Sequence, residues 1–386
     1  MVNQVSETLD LAETEARIHR FDERVDQAMR QSPPSKVWVR NGLHRLGAPR
    51  CPVHLRRLSH DIILRHGDGL AELFVSHPDD MVLADAYHAA LGFQAPGVTE
   101  PVNAVQVLTR AAEWTDEWGT RWGHAAGGVG ASPIAHPLED WSQLNEYLAH
   151  RMPDARSPGR LDGIAPALAL HGSERYFAGL TNLVLWERFH CLRGMENAFA
   201  DLYDFPKETD RLLGALTEYY LEIIRAWGRL ANVDALFMTD DWGTQATLMI
   251  SPEMWRRFFA PRYRRLFAEA HRVGIDVVFH SCGNVTEIIA DLIDVGVDIL
   301  DPLQPEAMDL QRVAREYGGK VTFCGAISDQ LLAVQSPAQV RDEVRRTIDV
   351  LGAPYRNAYI VAPANALMPE VPLANLEALF DACHSQ

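Results

Sequence analysis

The chain has 386 residues, 47% of them hydrophobic, and a formal net charge of −16. That supplies apolar material for one large core or two modest ones. The acidic balance excludes a nucleic-acid partner, which needs a basic face. No run of ~18 apolar residues occurs, so no membrane span is expected, and the acid-rich start from Met1 to Glu23 lacks the basic-then-apolar order of a secretory signal. The five cysteines (51, 191, 282, 324 and 383) are scattered and odd in number. They form no disulfide framework and point to a reducing, cytoplasmic setting in which thiolates stay free for metal or redox chemistry.

In chain order, residues 9–31 carry charged and apolar side chains at helical spacing and end at the breaker Ser32-Pro33-Pro34-Ser35. Residues 36–160 are irregular and rich in Gly, Pro and Trp, with short strands expected at Met81–Ala84 and Trp118–His124. From residue 163 the order is regular. The apolar run Gly163–Leu170 is followed by helical spacing over 182–203 and 206–231, then a strand at Ala235–Thr239. Ser251-Pro252-Glu253 opens a helix to about residue 273, with Ser at N-cap and Pro at N1. Strands are then expected at Asp276–Phe279, Val297–Leu300, Val321–Cys324 and Ala358–Val361, alternating with helices at 286–295, 309–318, 337–351 and 373–383.

Strands with continuous apolar cores alternating with helices make a parallel sheet covered by helices. An open doubly wound sheet and a closed barrel share that pattern. No Gly-rich phosphate loop follows any strand, which weakens the dinucleotide-binding option. Polar or reactive residues end nearly every strand: His171, Asp240 and Asp241, His280 and Cys282, Asp301, Cys324, Asn365. A barrel brings such ends to one face, where catalytic residues sit. The expected fold is therefore a (β/α)₈ TIM barrel over residues 81–386, with an N-terminal helical extension over 1–80.

His280 and Cys282 are two apart at a strand end, so imidazole and thiolate point the same way, as zinc requires. The pair alone equally describes a hydrogen-bonded His beside an inert Cys, but the turn signal Gly283-Asn284 places it at the rim. Asp240 and Asp241 are adjacent carboxylates whose repulsion calls for a compensating proton, cation or basic group, unless they cap a helix in solvent. Cys324 reads as a small buried residue or a metal ligand. Asp301, Asp329 and His171 read as substrate contacts or as helix caps and packing. Arg193 reads as a salt-bridge partner of Glu196 at helical spacing. Trp114, Trp118, Trp122 and Trp242 read as packing rather than a cofactor stack, with Trp242, beside the two acids, also a candidate substrate contact.

Several stretches occur in order: Leu192–Asn197, Asp240-Asp241-Trp242-Gly243-Thr244-Gln245, Ser251-Pro252-Glu253-Met254-Trp255, His280-Ser281-Cys282-Gly283-Asn284, Gly296–Pro302 and Pro369–Asn375. Together they resemble the uroporphyrinogen decarboxylase superfamily, in its corrinoid-dependent methyltransferase-like branch, over roughly residues 110–385. The resemblance implies a (β/α)₈ barrel and, in that branch, a zinc ion bound by His-x-Cys and a Cys on the last strand. That zinc activates a thiol acceptor, which takes a methyl group from a corrinoid held by a partner protein. His280 and Cys282 match the first two ligands. Asn365 stands where the third is expected, and Asn is a poor zinc ligand, so Cys324 or a carboxylate such as Asp241 would have to complete the site, or the site holds no zinc.

The leading functional expectation is methyl transfer between a small substrate (a thiol, methoxy compound or folate) and a corrinoid. Two others stand beside it. One is a cofactor-free lyase or decarboxylase acting on a small carboxylate, with Asp240 or Asp241 stabilising a cationic intermediate. The Arg-rich motif that grips porphyrinogen carboxylates is not recognisable among Arg40, Arg45, Arg50, Arg56 and Arg57. The other is a non-catalytic barrel that binds a corrinoid protein.

Overall fold

The computed structural model describes residues 11–84, 112–124 and 131–386. Its strands in chain order are β1 (Met81–Ala84), β2 (Ala112–Thr115), β3 (Arg121–His124), β4 (Ser132–Ala135), β5 (Tyr176–Thr181), β6 (Ala235–Thr239), β7 (Asp276–His280), β8 (Ile299–Leu303), β9 (Thr322–Ile327) and β10 (Tyr359–Pro363). Strands β2, β3 and β4 form a small antiparallel sheet, whereas the other seven make one parallel sheet in the order β1-β5-β6-β7-β8-β9-β10.

The apolar runs of these strands are buried on both faces, which is why they show little alternation. Alternate side chains serve two cores. Tyr176, Ala178, Phe237, Val278, Ile299, Cys324, Ile360 and Ala362 meet in one cluster across the concave side of the curled sheet. Phe177, Met238, Phe279, Leu300, Phe323 and Val361 face the other way, into the large core shared with the helices. The helix Lys36–Leu43 puts Val39 and Leu43 into the inner cluster, and Thr322, the first residue of β9, donates its hydroxyl to the Leu43 carbonyl. This helix therefore covers the N-terminal ends of the strands and leaves their C-terminal ends as the face for chemistry.

Eight strands closing on themselves are the sequence expectation. Among the described residues seven strands pair, and the span from β10 to β1 is bridged by the segment 52–54. Val53 pairs in parallel with Val361, the Val361 amide donates to Pro52 (2.8 Å), His54 donates to Val361 (3.0 Å), and Asp80 donates to Val53 (3.0 Å). Pro52 has no N–H to extend the ladder, and the Val53 N–H is taken by the Asp80 carboxylate at 2.9 Å.

Two expectations are corrected. The apolar run from 163 to 170 is no strand: it forms a short turn and the helix Ala165–His171, and the strand here is β5, five residues further on. Arg193 does not pair with Glu196. It is buried against Asp201 (2.7 Å) and lies 4.0 Å over the Trp141 ring. The Ser251 cap is found as expected, its hydroxyl accepting from the Met254 amide, but the helix breaks into Pro252–Phe258 and Ala260–Arg272.

Candidate metal centre at the strand ends

Register places the site. Thr239 of β6 is level with His280 of β7, and His280 with Asp301 of β8, so the ends of three neighbouring strands form one row. The chain continues in step beyond it. Asp240 donates its amide to the His280 carbonyl (3.0 Å), Gly243 to Cys282 (3.1 Å), and Asn284 to Thr244 (2.7 Å). This close approach demands glycine on both sides. A Cβ on Gly243 would lie 2.5 Å from the Asn284 nitrogen and 2.6 Å from the Cys282 oxygen. Gly283, at φ +80°, would meet the Gly243 backbone at 2.4 Å.

Held this way, Asp241, His280 and Cys282 bring one donor atom each within 4.8 Å of one another. The Cys282 sulfur lies 3.3 Å from His280 Nε2. One Asp241 oxygen lies 3.8 Å from the same nitrogen and also accepts the Cys282 amide at 2.8 Å. A tetrahedral zinc ion with ordinary bond lengths would set sulfur to nitrogen at about 3.6 Å and nitrogen to oxygen at about 3.4 Å. The donor set and spacing therefore fit zinc, with three protein ligands and a fourth position left open, the pattern of a catalytic site.

Behind the trio, Asp301 is wholly buried and its carboxylate lies 2.5 Å from His280 Nδ1. With Nδ1–H donated to Asp301, Nε2 is the nitrogen turned toward Cys282, and a carboxylate behind the ring in this way orients metal-bound histidines. Arg57 donates to both Asp301 oxygens, at 2.7 and 3.1 Å. Burial works against the Asp301 carboxylate, but Arg57 and His280 outweigh it and hold the acid far below the usual carboxylate range. Burial likewise opposes charge on His280, yet Asp301 and Cys282 raise it well above an ordinary imidazole. In the metal-free protein the ring therefore carries a proton that a metal must displace.

None of the other expected site residues joins this trio, and for Asp240, Trp242, His171 and Cys324 burial away from the mouth corrects the expected role. Asp240 is fully buried and does not face the mouth. It accepts the amides of Leu185 and Glu187 (both 2.7 Å) and the Tyr263 hydroxyl (2.5 Å), tying β6 to the helix Trp186–Arg193. Burial raises it to about 6 against those hydrogen bonds. Trp242 is sealed between Trp186, Trp255 and Phe259, its indole donating to Tyr263. His171 ends a helix before β5, on the far side of the sheet from the mouth, buried beside Asp26 at 3.3 Å. Asn365 is exposed and accepts the Ala366 amide. Cys324 belongs to the inner core, and burial, with Asp301 alongside, raises its thiol well above normal; it is not one of the converging donors. Asp301 supports His280 rather than facing solvent. Asp329 starts a four-residue helical turn capped by Ser328.

Sequence reasoning missed Glu187 and the role of Arg57. Glu187 sits in the first turn after β5, accepting the Thr239 hydroxyl at 2.9 Å. Burial, then the Asp241 and Asp240 carboxylates, push its acid up to about 8. Gln304 was missed as well. It accepts the Gly283 amide at 3.1 Å and steadies the turn after β7.

No helix among the described residues is long and apolar enough to cross a membrane. A methyltransferase from Methanosarcina mazei has a similar fold, with a TM-score of 0.63 at 15% identity, covering 92% of this chain and 99% of that one. The methylcobamide:CoM methyltransferase MtaA of Methanosarcina barkeri is 27% identical over 136 residues, 34% of this chain and 36% of that protein. The uroporphyrinogen decarboxylase of Thermus thermophilus is 26% identical over 166 residues, 43% of this chain and 45% of that protein. The matched stretches thus span under half the length of these curated relatives. The model of the uroporphyrinogen decarboxylase (URO-D) family matches residues 189–386, just over half of the chain and all of the Asp241, His280, Cys282 and Asp301 constellation. The chain belongs to the uroporphyrinogen decarboxylase family.

Proposed function

We propose that this protein is a zinc-dependent methyltransferase that moves a methyl group between a small substrate and a corrinoid carried by a partner protein. The observation that carries the reading is the convergence of Asp241, His280 and Cys282 on one point at the strand ends. The likeness to MtaA over 136 residues supports the methyl-transfer chemistry. In this reading Asp241 takes the place of the ligand that Asn365 does not provide, and Cys324 stays in the core. The segment 52–54 acts as the eighth strand that closes the barrel formed by 81–386, so part of 1–80 belongs to the barrel and the rest is a helical extension. Five free cysteines accord with a reducing cytoplasm.

Zinc in such a set lowers the pKa of a bound thiol or polarises a bound oxygen. The protein's residues do the rest. Cys282 and Asp241 supply the two negative charges that balance the ion, and Asp301 keeps the His280 tautomer fixed. Glu187, held as the neutral acid at pH 7, is a proton donor beside Asp241 for the group that loses its methyl. The lyase reading loses one of its two candidate carboxylates, because Asp240 is sealed under Tyr263 and backbone amides.

The test is spectroscopic. Zinc-loaded protein mixed with methylcobalamin and a panel of thiols and tetrahydrofolate is expected to demethylate the corrinoid with at least one acceptor. Methoxylated donors with cob(I)alamin test the reverse direction. Chelation should stop turnover. An absence of methyl transfer in both directions would reject the methyltransferase reading, and activity on a small carboxylate that ignores chelators would establish the lyase.

A further inference from the structure

We infer that Arg57 is a positioning residue of the metal centre, acting on His280 through Asp301. The inference rests on the metal reading above and goes beyond it, because Arg57 lies far upstream of the strands that carry the ligands.

The backbone of Arg57 is anchored first. Its carbonyl accepts the Leu367 amide (2.7 Å), the next residue, Leu58, bridges to Leu367, and Val53 bridges to Val361. From that platform the guanidinium reaches under the mouth. Nη1 donates to one Asp301 oxygen at 2.7 Å and to the Pro363 carbonyl at 3.4 Å, and Nη2 donates to the other Asp301 oxygen at 3.1 Å. The oxygen that takes Nη2 is also the one facing His280 Nδ1. A wholly buried carboxylate without a cation would protonate or turn away. A two-point clamp by Arg fixes both its charge and its plane, and with them the imidazole ring whose Nε2 faces Cys282 and Asp241. The guanidinium is thus committed to Asp301 and the barrel wall. The same contacts link the bridging segment 53–58 to the metal centre, so metal binding and the seating of that segment favour each other.

The decisive experiment measures zinc affinity by chelator competition, and the visible spectrum of the cobalt(II)-substituted protein, in wild type, Arg57→Met and Arg57→Lys. Near-ultraviolet circular dichroism reports whether each variant is folded. Wild type should bind one zinc. Arg57→Met should bind it about 10- to 100-fold more weakly with a shifted cobalt spectrum, and Arg57→Lys, which keeps the charge but not the two-point geometry, should recover part of the loss. If Arg57→Met does not fold, the double variant Arg57→Met/Asp301→Asn removes the uncompensated charge and should fold with the same weakened affinity. A folded Arg57→Met or double variant with wild-type affinity and an unchanged cobalt spectrum overturns the positioning role alone. Wild-type protein that takes up no zinc or cobalt overturns the metal reading and this inference together.

Discussion

Replacing Cys282 with serine is expected to lower zinc affinity on the order of 10³-fold while leaving the protein folded. Zinc binding in thiolate sites is worth roughly 10–16 kcal/mol spread over the ligands, so one ligand accounts for several kcal/mol. Cys282 is half-buried at the mouth, its amide held by Asp241 whatever the side chain, so the fold should lose no more than about 1 kcal/mol. The comparison that gives the result its meaning is Cys324→Ser. That thiol is in the inner core with Ile299, Ile360 and Ala362, and its replacement should cost stability but not metal. Titration of both purified variants with zinc against a competing chelator separates the two. Equal losses of zinc affinity would put Cys324 in the coordination sphere; no loss in Cys282→Ser would remove Cys282 from it.

Gly243→Ala should damage fold and site together, costing about 3 kcal/mol or more. Overpacking a well-ordered interior commonly costs about 1–3 kcal/mol even where side chains can move aside. Here the new methyl would meet only backbone, at 2.5–2.6 Å, on the strand end that carries Cys282. The relief is to separate the two strand ends, which pulls Asp241 away from the Cys282 amide and opens the metal trio. Gly214→Ala is the matched control. It lies in the helix Pro206–Trp227 with nothing within 4 Å of the added methyl, and should gain about 0.5–1 kcal/mol from helix propensity. Denaturant midpoints of the two variants should move in opposite directions, and only Gly243→Ala should lose zinc. A Gly243→Ala protein with wild-type stability and zinc content would mean that the strand ends are not locked as described.

The parts of the site that were legible from sequence are those set by local spacing. His280 and Cys282 sit two apart before a Gly-Asn turn, and strand periodicity alone turns both to one side. The same periodicity carried a further message about Asp240 and Asp241. Adjacent residues at a strand end point in opposite directions, so only one of the two acids faces the mouth while the other goes into the core behind the sheet. His171 was misplaced because an eight-residue apolar run is compatible with either a buried strand or a helix, and here Ala165 to His171 form a helix after a short turn that ends at Ile164. The true strand β5 followed without an alternating pattern to mark it. Arg57 and Asp301 are 244 residues apart, so no local pattern could pair them, and the single-residue bridge at Val53 is too short to read as a strand. The candidate third ligand followed the same logic. Sequence reading offered Asp241 or Cys324 in place of position 365, and the register of β6 on β7 is what brings the Asp241 carboxylate near His280 and Cys282.

The most direct test of the account is zinc K-edge X-ray absorption on the wild-type protein. One zinc per chain is expected, with a single sulfur at about 2.3 Å and the remaining shell of nitrogen and oxygen at about 2.0–2.2 Å, one of them from Asp241. In Asp241→Asn the sulfur should remain while the affinity drops. Two sulfurs in the shell, or protein that holds no zinc, would contradict the assignment of Asp241, His280 and Cys282 as the metal centre.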